Sequence, residues 1–133
     1  MSVNIGNSSD PFYRYKRPTS IIENKANKTK IINLDLIAKA LKTKPSYIIY
    51  YIQITKSTSI NGKYEINKIL TKAEIESLID HFIDAYILCT KCRYPELVIN
   101  KTDSKLYFDC NACGNSTSII ENKFTKIIYK DNM

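Results

Sequence analysis

Apolar positions along this chain alternate between two spacings, and each change of spacing marks an element. Leu34, Ile37, Ala38 and Leu41 recur at i, i+3, i+4 and i+7, which predicts a helix over 34–42 with Asn33 as its N-cap. Thr43–Lys44 breaks that pattern, and Pro45 suits the first turn of a second helix running to about Ile52. The longest helix opens on Thr71 and Glu74, a Thr-x-x-Glu capping box, and carries the stripe Ile75, Leu78, Ile79, Phe82, Ile83 and Tyr86. Shorter runs predict strands. Phe12–Lys16 is extended-favouring and ends at Pro18. Ile21–Ile22 and Lys30–Ile32 read as two strands joined by the polar loop Glu23–Thr29. Thr55–Ile60 and Lys63–Ile69 flank Asn61-Gly62, a strong hairpin signal. Glu96–Asn100 and Lys105–Asp109 form a further pair around residues 101–104, and Phe124–Tyr129 is a short helix or strand.

These elements predict an α+β chain: a flexible start over 1–10, a small mixed α/β domain over 11–86, a metal-binding ribbon over 87–120 and a tail over 121–133. The ribbon rests on four cysteines. Cys89-Thr-Lys-Cys92 and Cys110-Asn-Ala-Cys113-Gly114 are two Cys-x-x-Cys knuckles separated by seventeen residues. Each knuckle can present two sulfurs to one ion, and two knuckles complete a tetrahedral S₄ site whose usual intracellular occupant is Zn²⁺. Gly114 permits the left-handed backbone that such a knuckle favours. With all four sulfurs spent, no open coordination position remains for catalysis, so the ion is expected to be structural. Two disulfides are the alternative, disfavoured in a chain without an export signal. His81, the only histidine, falls on the polar side of the long helix and is expected to be an ordinary surface residue.

Composition narrows the class. In 133 residues, 44% are hydrophobic, enough for a core and against wholesale disorder. The longest mainly apolar run, Tyr47–Ile54, is far below the roughly 20 residues that span a bilayer, and the first ten residues lack a secretory pattern. A soluble, cytoplasmic protein is expected. The net charge is +7, and four thiolates with one Zn²⁺ lower it to +5. That balance favours an anionic partner such as RNA.

Asp10-Pro11-Phe12-Tyr13-Arg14-Tyr15-Lys16, together with Met1-Ser2-Val3-Asn4, resembles the start of the N-terminal domain of eukaryotic translation initiation factor five. The resemblance continues through 33–41, 45–51, 67–88, the cysteine pairs and 124–130. The related beta subunit of initiation factor two shares the fold and ribbon but not the Phe-Tyr-Arg-Tyr start. What the resemblance implies is a GTPase-activating factor for initiation factor two, acting in start-codon recognition on the small ribosomal subunit, with no catalytic centre of its own. It implies as partners the GTPase gamma subunit of that factor, the initiator tRNA and the subunit's rRNA, with no membrane and no small-molecule substrate.

In the family the arginine of Phe-Tyr-Arg-Tyr-Lys is required for activation, and here it is Arg14. An arginine supplied in trans can offset charge developing on a γ-phosphate, an effect on the order of 10³–10⁵ in rate. Lysine lacks the planar donor fork. Tyr13, Tyr15, Lys16 and Arg17 are expected beside it in the partner surface. Lys25, Lys28 and Lys30 lie in the loop that approaches RNA in the family. That loop is glycine-rich in the family and has no glycine here. The family also carries a helical-repeat domain after the ribbon, and with the sequence read to Met133 none is expected here. A truncated competitor that inhibits or redirects initiation is therefore a second reading. A third is a zinc-ribbon transcription factor, in which the helices over 34–42 and 45–52 form a helix-turn-helix. Against it, Tyr47, Ile48, Ile49, Tyr50, Tyr51 and Ile52 offer little to read base edges.

Overall fold

A computed structural model describes residues 2–5, 15–89, 91–102, 105–119 and 124–126. Its strands are β1 (Ser2–Asn4), β2 (Lys16–Pro18), β3 (Ile22–Lys25), β4 (Lys28–Ile31), β5 (Ile60–Gly62), β6 (Glu65–Ile66), β7 (Leu97–Thr102), β8 (Lys105–Cys110) and β9 (Ser116–Ser118). Three helices intervene: α1 (Leu34–Ala40), α2 (Pro45–Thr55) and α3 (Lys72–Tyr86). The strands form an antiparallel β1–β2 pair, a four-stranded sheet ordered β3-β4-β6-β5 and a three-stranded sheet ordered β7-β8-β9. The chain is α+β, with its four cysteines gathered at the C-terminal end, as the element pattern implied.

The apolar stripe of α3 drives the packing. Ile75, Leu78, Ile79, Phe82 and Ile83 are all buried, against Ile48 and Ile52 of α2 and Leu34 and Ile37 of α1 in one cluster. Burying side chains of this size contributes roughly 1.5–3 kcal/mol each. α3 starts where the capping box places it: Thr71 Oγ1 accepts from the Glu74 N–H at 3.2 Å, and Glu74 Oε1 accepts from the Thr71 N–H at 3.3 Å. An aromatic group seals the far end. Phe124, in a helical turn over 124–126, packs within 6 Å of the rings of Tyr51, Phe82 and Tyr86.

Several expectations need correction. Residues 2–4 are not a flexible start, because β1 pairs with β2, Val3 lying opposite Arg17. The polar segment after Ile22 is not a loop but a hairpin. β3 and β4 meet at a two-residue turn, Ala26–Asn27, both with positive φ, which is the turn whose twist matches antiparallel strands. Asn61-Gly62 does not turn the next hairpin. It lies in β5, and the reversal falls on Lys63–Tyr64, with Tyr64 at φ 58°. α2 runs three residues beyond Ile52, and α1 stops two residues before 42. Asn33 sits at the N-cap position but makes no cap bond. Its amide instead bridges the chain before β3, accepting from the Ile21 N–H at 2.8 Å and donating to the Thr19 carbonyl at 2.8 Å. β9 carries no apolar signal, because Ser116–Ser118 is polar and exposed, and it joins β8 through backbone pairing and a Ser116 hydroxyl that donates to Asp109 at 2.7 Å.

Candidate metal centre and partner-facing residues

α3 ends at Tyr86, and two residues later the chain enters the first knuckle. The two knuckles are built alike. In each, the first cysteine's N–H bonds the carbonyl five residues on: Cys89 to Tyr94 at 3.1 Å and Cys110 to Asn115 at 2.9 Å. In each, its carbonyl receives an N–H from four residues on, Arg93 or Gly114, both at 2.9 Å. Both of those residues are left-handed, Arg93 at φ 62° and Gly114 at φ 75°. Sequence reading identified Gly114 and missed Arg93. The signal was its identical place, one residue after the second cysteine of its pair. Arg93 also forms an ion pair with Asp84 on α3, tying the first knuckle to the helix that delivers it.

The four Sγ atoms lie within 4.8 Å of one another, with Cys89–Cys113 and Cys92–Cys110 each at 3.6 Å. A tetrahedral ion holding sulfurs at about 2.3 Å spaces them about 3.8 Å apart, so the cluster is near coordination geometry. Electrostatics agree. Burial opposes ionisation of Cys89, but the N–H groups of Cys92 and Lys91 and the nearby thiols outweigh it and hold this thiol at about 6. At Cys92 the Tyr94 N–H favours the thiolate, yet lost hydration and the other sulfurs carry it up to about 12. Cys113 is also raised, its Asn115 N–H outweighed by desolvation and by Cys110 and Cys89. Thiolates this close repel, and a dication at their centre removes the repulsion. The donor set, spacing and charge fit one soft divalent ion.

The remaining predicted residues distribute unevenly. Tyr13 and Arg14 lie outside the described residues. Tyr15 is half-buried, its carbonyl accepts from the Ile5 N–H at 2.8 Å, and its ring lies 5.8 Å from that of Tyr94 beside the first knuckle. Lys16 is exposed. Arg17 departs from expectation. It is 2% exposed, with Nη1 donating to Glu76 Oε2 at 3.0 Å and Nη2 to Asp80 Oδ1 at 3.1 Å. An internal cation held by two carboxylates is not offered to a partner, so Arg17 leaves the partner-facing set. Sequence reading also missed Glu76 and Asp80, although four-residue spacing on α3 puts both on one face.

Lys25, Lys28 and Lys30 come together on the β3–β4 hairpin. Lys25 lies opposite Lys28 at its tip. Lys30 has an acid as register partner on each side, Glu23 and Glu65, whereas Lys25 and Lys28 have each other. His81 is exposed on α3, as expected. Between the ribbon and the helices a cleft of about 380 Å³ is lined by Lys42, Lys44, Tyr47, Tyr86, Leu97 and Val98, with Lys42 bridging to Glu96 at 3.3 Å. Among the described residues no helix is long and apolar enough to cross a membrane.

Comparison with known proteins agrees with this architecture. Residues 6–116 match the family model for the domain found in initiation factors 2B and 5. Eukaryotic translation initiation factor 5 of Saccharomyces cerevisiae is 35% identical over 98% of this chain and 35% of its own length. The Dictyostelium discoideum protein of the same name is 37% identical over 92% of this chain and 33% of its own, and that of Mus musculus 36% over 86% and 29%. The chain thus spans about a third of the length of these relatives. The match runs through both knuckles and the helical core, and the chain belongs to the family of domains found in initiation factors 2B and 5.

Proposed function

We propose that this chain acts in translation initiation, promoting GTP hydrolysis by initiation factor 2 during start-codon recognition on the small ribosomal subunit. The observation that carries this reading is the family match, which takes in the core and all four cysteines, with relatives named as initiation factor 5 over most of the chain. In this reading Arg14 is the residue supplied to the partner GTPase, where its guanidinium offsets charge on the γ-phosphate. Tyr13, Tyr15 and Lys16 are its neighbours at the contact. The chain has no reaction of its own to catalyse. Its partners are the GTPase gamma subunit, the initiator tRNA and the small-subunit rRNA, met in the cytoplasm.

The metal in this reading is one Zn²⁺ on Cys89, Cys92, Cys110 and Cys113. It closes two loops into a rigid ribbon and takes no part in chemistry. Lys25 and Lys28 contact RNA phosphates, and Lys30 contributes less because Glu23 and Glu65 face it. The DNA-reading alternative finds no support in α2, whose side chains pack inward: Tyr47, Ile48, Ile49 and Ile52 are buried, and of its eleven residues only Thr55 is exposed. A recognition helix needs a polar face free to enter a groove.

The test is GTP hydrolysis by the initiator ternary complex on purified small subunits. Adding the zinc-loaded chain is expected to accelerate hydrolysis, and Arg14→Ala to lose a factor on the order of 10³ of that acceleration. A rate equal to buffer eliminates activation. Suppression of hydrolysis by the relatives' own factor assigns the chain to the competitor reading instead.

A further inference from the structure

The β1–β2 pair is only three residues long on each side, and a two-stranded ribbon of that size is marginal by itself. Something else must hold it to the core. The buried guanidinium of Arg17 is the strongest link. Nη1 donates to Glu76 Oε2 at 3.0 Å and to the Pro18 carbonyl at 3.0 Å, and Nη2 donates to Asp80 Oδ1 at 3.1 Å. Glu76 and Asp80 are one turn apart on α3, so a single side chain spans two successive turns of the longest helix. Glu76 also accepts from the Ser20 N–H at 3.2 Å, which fixes the chain as it leaves β2. Arg17 is 1% exposed at its side chain while the two acids are 21% and 63% exposed, so the cation has no alternative partner in water.

We propose that Arg17 is a positioning residue for the activity proposed above, locking β2 in place on α3 three residues along the sequence from Arg14. The inference rests on that reading of Arg14. The residues flanking the β1–β2 pair are tied together too, because Ile5 is buried and donates to the Tyr15 carbonyl at 2.8 Å. An apolar side chain at 17 would fill the same space but hold the strand by burial alone, which has no direction. Two charge-assisted hydrogen bonds do have direction, and a one-residue slip of β2 would turn residue 17 to the outer face and strand both carboxylates. A buried charge network is weak evidence for stability, so the role assigned to this one is placement.

The test compares Arg17→Met, Arg17→Lys and Arg14→Ala in the full zinc-loaded chain. GTP hydrolysis by the initiator ternary complex is followed across factor concentrations, alongside amide hydrogen exchange. Arg17→Met is expected to lower the maximal rate at least tenfold with the half-saturating concentration unchanged within about twofold. The Ile5 amide should lose protection while the amides of Ile79 and Ile83 keep theirs. Arg17→Lys keeps a cation but cannot bridge both acids, and is expected to recover only part of the rate. It also serves if the methionine variant does not fold. Arg14→Ala should lose the rate with Ile5 still protected. A wild-type maximal rate and intact Ile5 protection in both Arg17 variants, beside an inactive Arg14→Ala, overturns the positioning role alone. Full activity of Arg14→Ala overturns the reading of Arg14 and, with it, this role.

Discussion

Lys42, Ser57 and Arg93 each hold a left-handed backbone that most proteins give to glycine. The chain has only three glycines, so other residues take these positions. Lys42 and Ser57 follow the C-caps of α1 and α2. In both cases the next residue's N–H reaches back into the last helical turn, Thr43 to the Ala38 carbonyl at 3.0 Å and Thr58 to that of Gln53 at 3.1 Å. These bonds satisfy helix-end carbonyls, and they persist against a conformational cost of roughly 1–2 kcal/mol at each non-glycine residue. Ser57 is exposed, so relieving its backbone disturbs no packing. Ser57→Gly is expected to stabilise the protein by about 0.5–1 kcal/mol in urea unfolding. A loss of stability would show that its side chain does more than fill the position.

At the scale of elements, the ribbon has the least core of its own. Leu106 and Cys110 are its deeply buried strand residues among those described, and β9 is exposed throughout. Without metal, its cohesion falls to backbone ladders, the burial of Leu106, the Asp109 bonds to Asn100 and Ser116, and the Arg93–Asp84 and Lys42–Glu96 pairs at its edge, these two pairs worth at most about 1 kcal/mol each. Chelation is therefore expected to strip exchange protection from the amides of β7 and β8, while those of α3 stay protected. Acid should do the same, because ligating thiolates must be deprotonated and metal affinity falls as pH falls. Protection of β8 that survives chelation would contradict a structural metal.

The same contrast explains what could be read in advance. α3 and the cysteine knuckles were legible because one has a long periodic stripe with a capping box and the other a fixed ligand spacing. The hairpin turn at Ala26–Asn27 was not, since alanine gives no sign of a positive φ and the polar residues around it resemble a loop. The Asn61-Gly62 signal was overridden when Tyr64 took the turn, where its hydroxyl bonds Asp35 on α1. Arg17 was misplaced for a tertiary reason. Its partners, Glu76 and Asp80, are about sixty residues away in sequence, and only the docking of β2 on α3 reveals them.

Across the whole molecule, the hairpin lysines and the tyrosine pair beside the first knuckle belong to different elements. Lys25 and Lys28 project from the tip of the β3–β4 hairpin, whereas β1, β2 and the first knuckle gather around Tyr15 and Tyr94. Replacing both Lys25 and Lys28 with alanine is expected to weaken binding to small subunits and lower the slope of log K against log salt by about one unit per lysine. Lys30→Ala should change that slope much less, because Glu23 and Glu65 already face it. Equal effects from all three lysines would contradict this division.

The proposed role has this chain driving another protein's GTP hydrolysis. Single-turnover release of phosphate from initiator ternary complexes loaded on start-codon-programmed small subunits tests it most directly. A rate that climbs with added chain to a plateau well above the unassisted rate is the predicted result. A phosphate trace that stays on the unassisted curve at every concentration would contradict it.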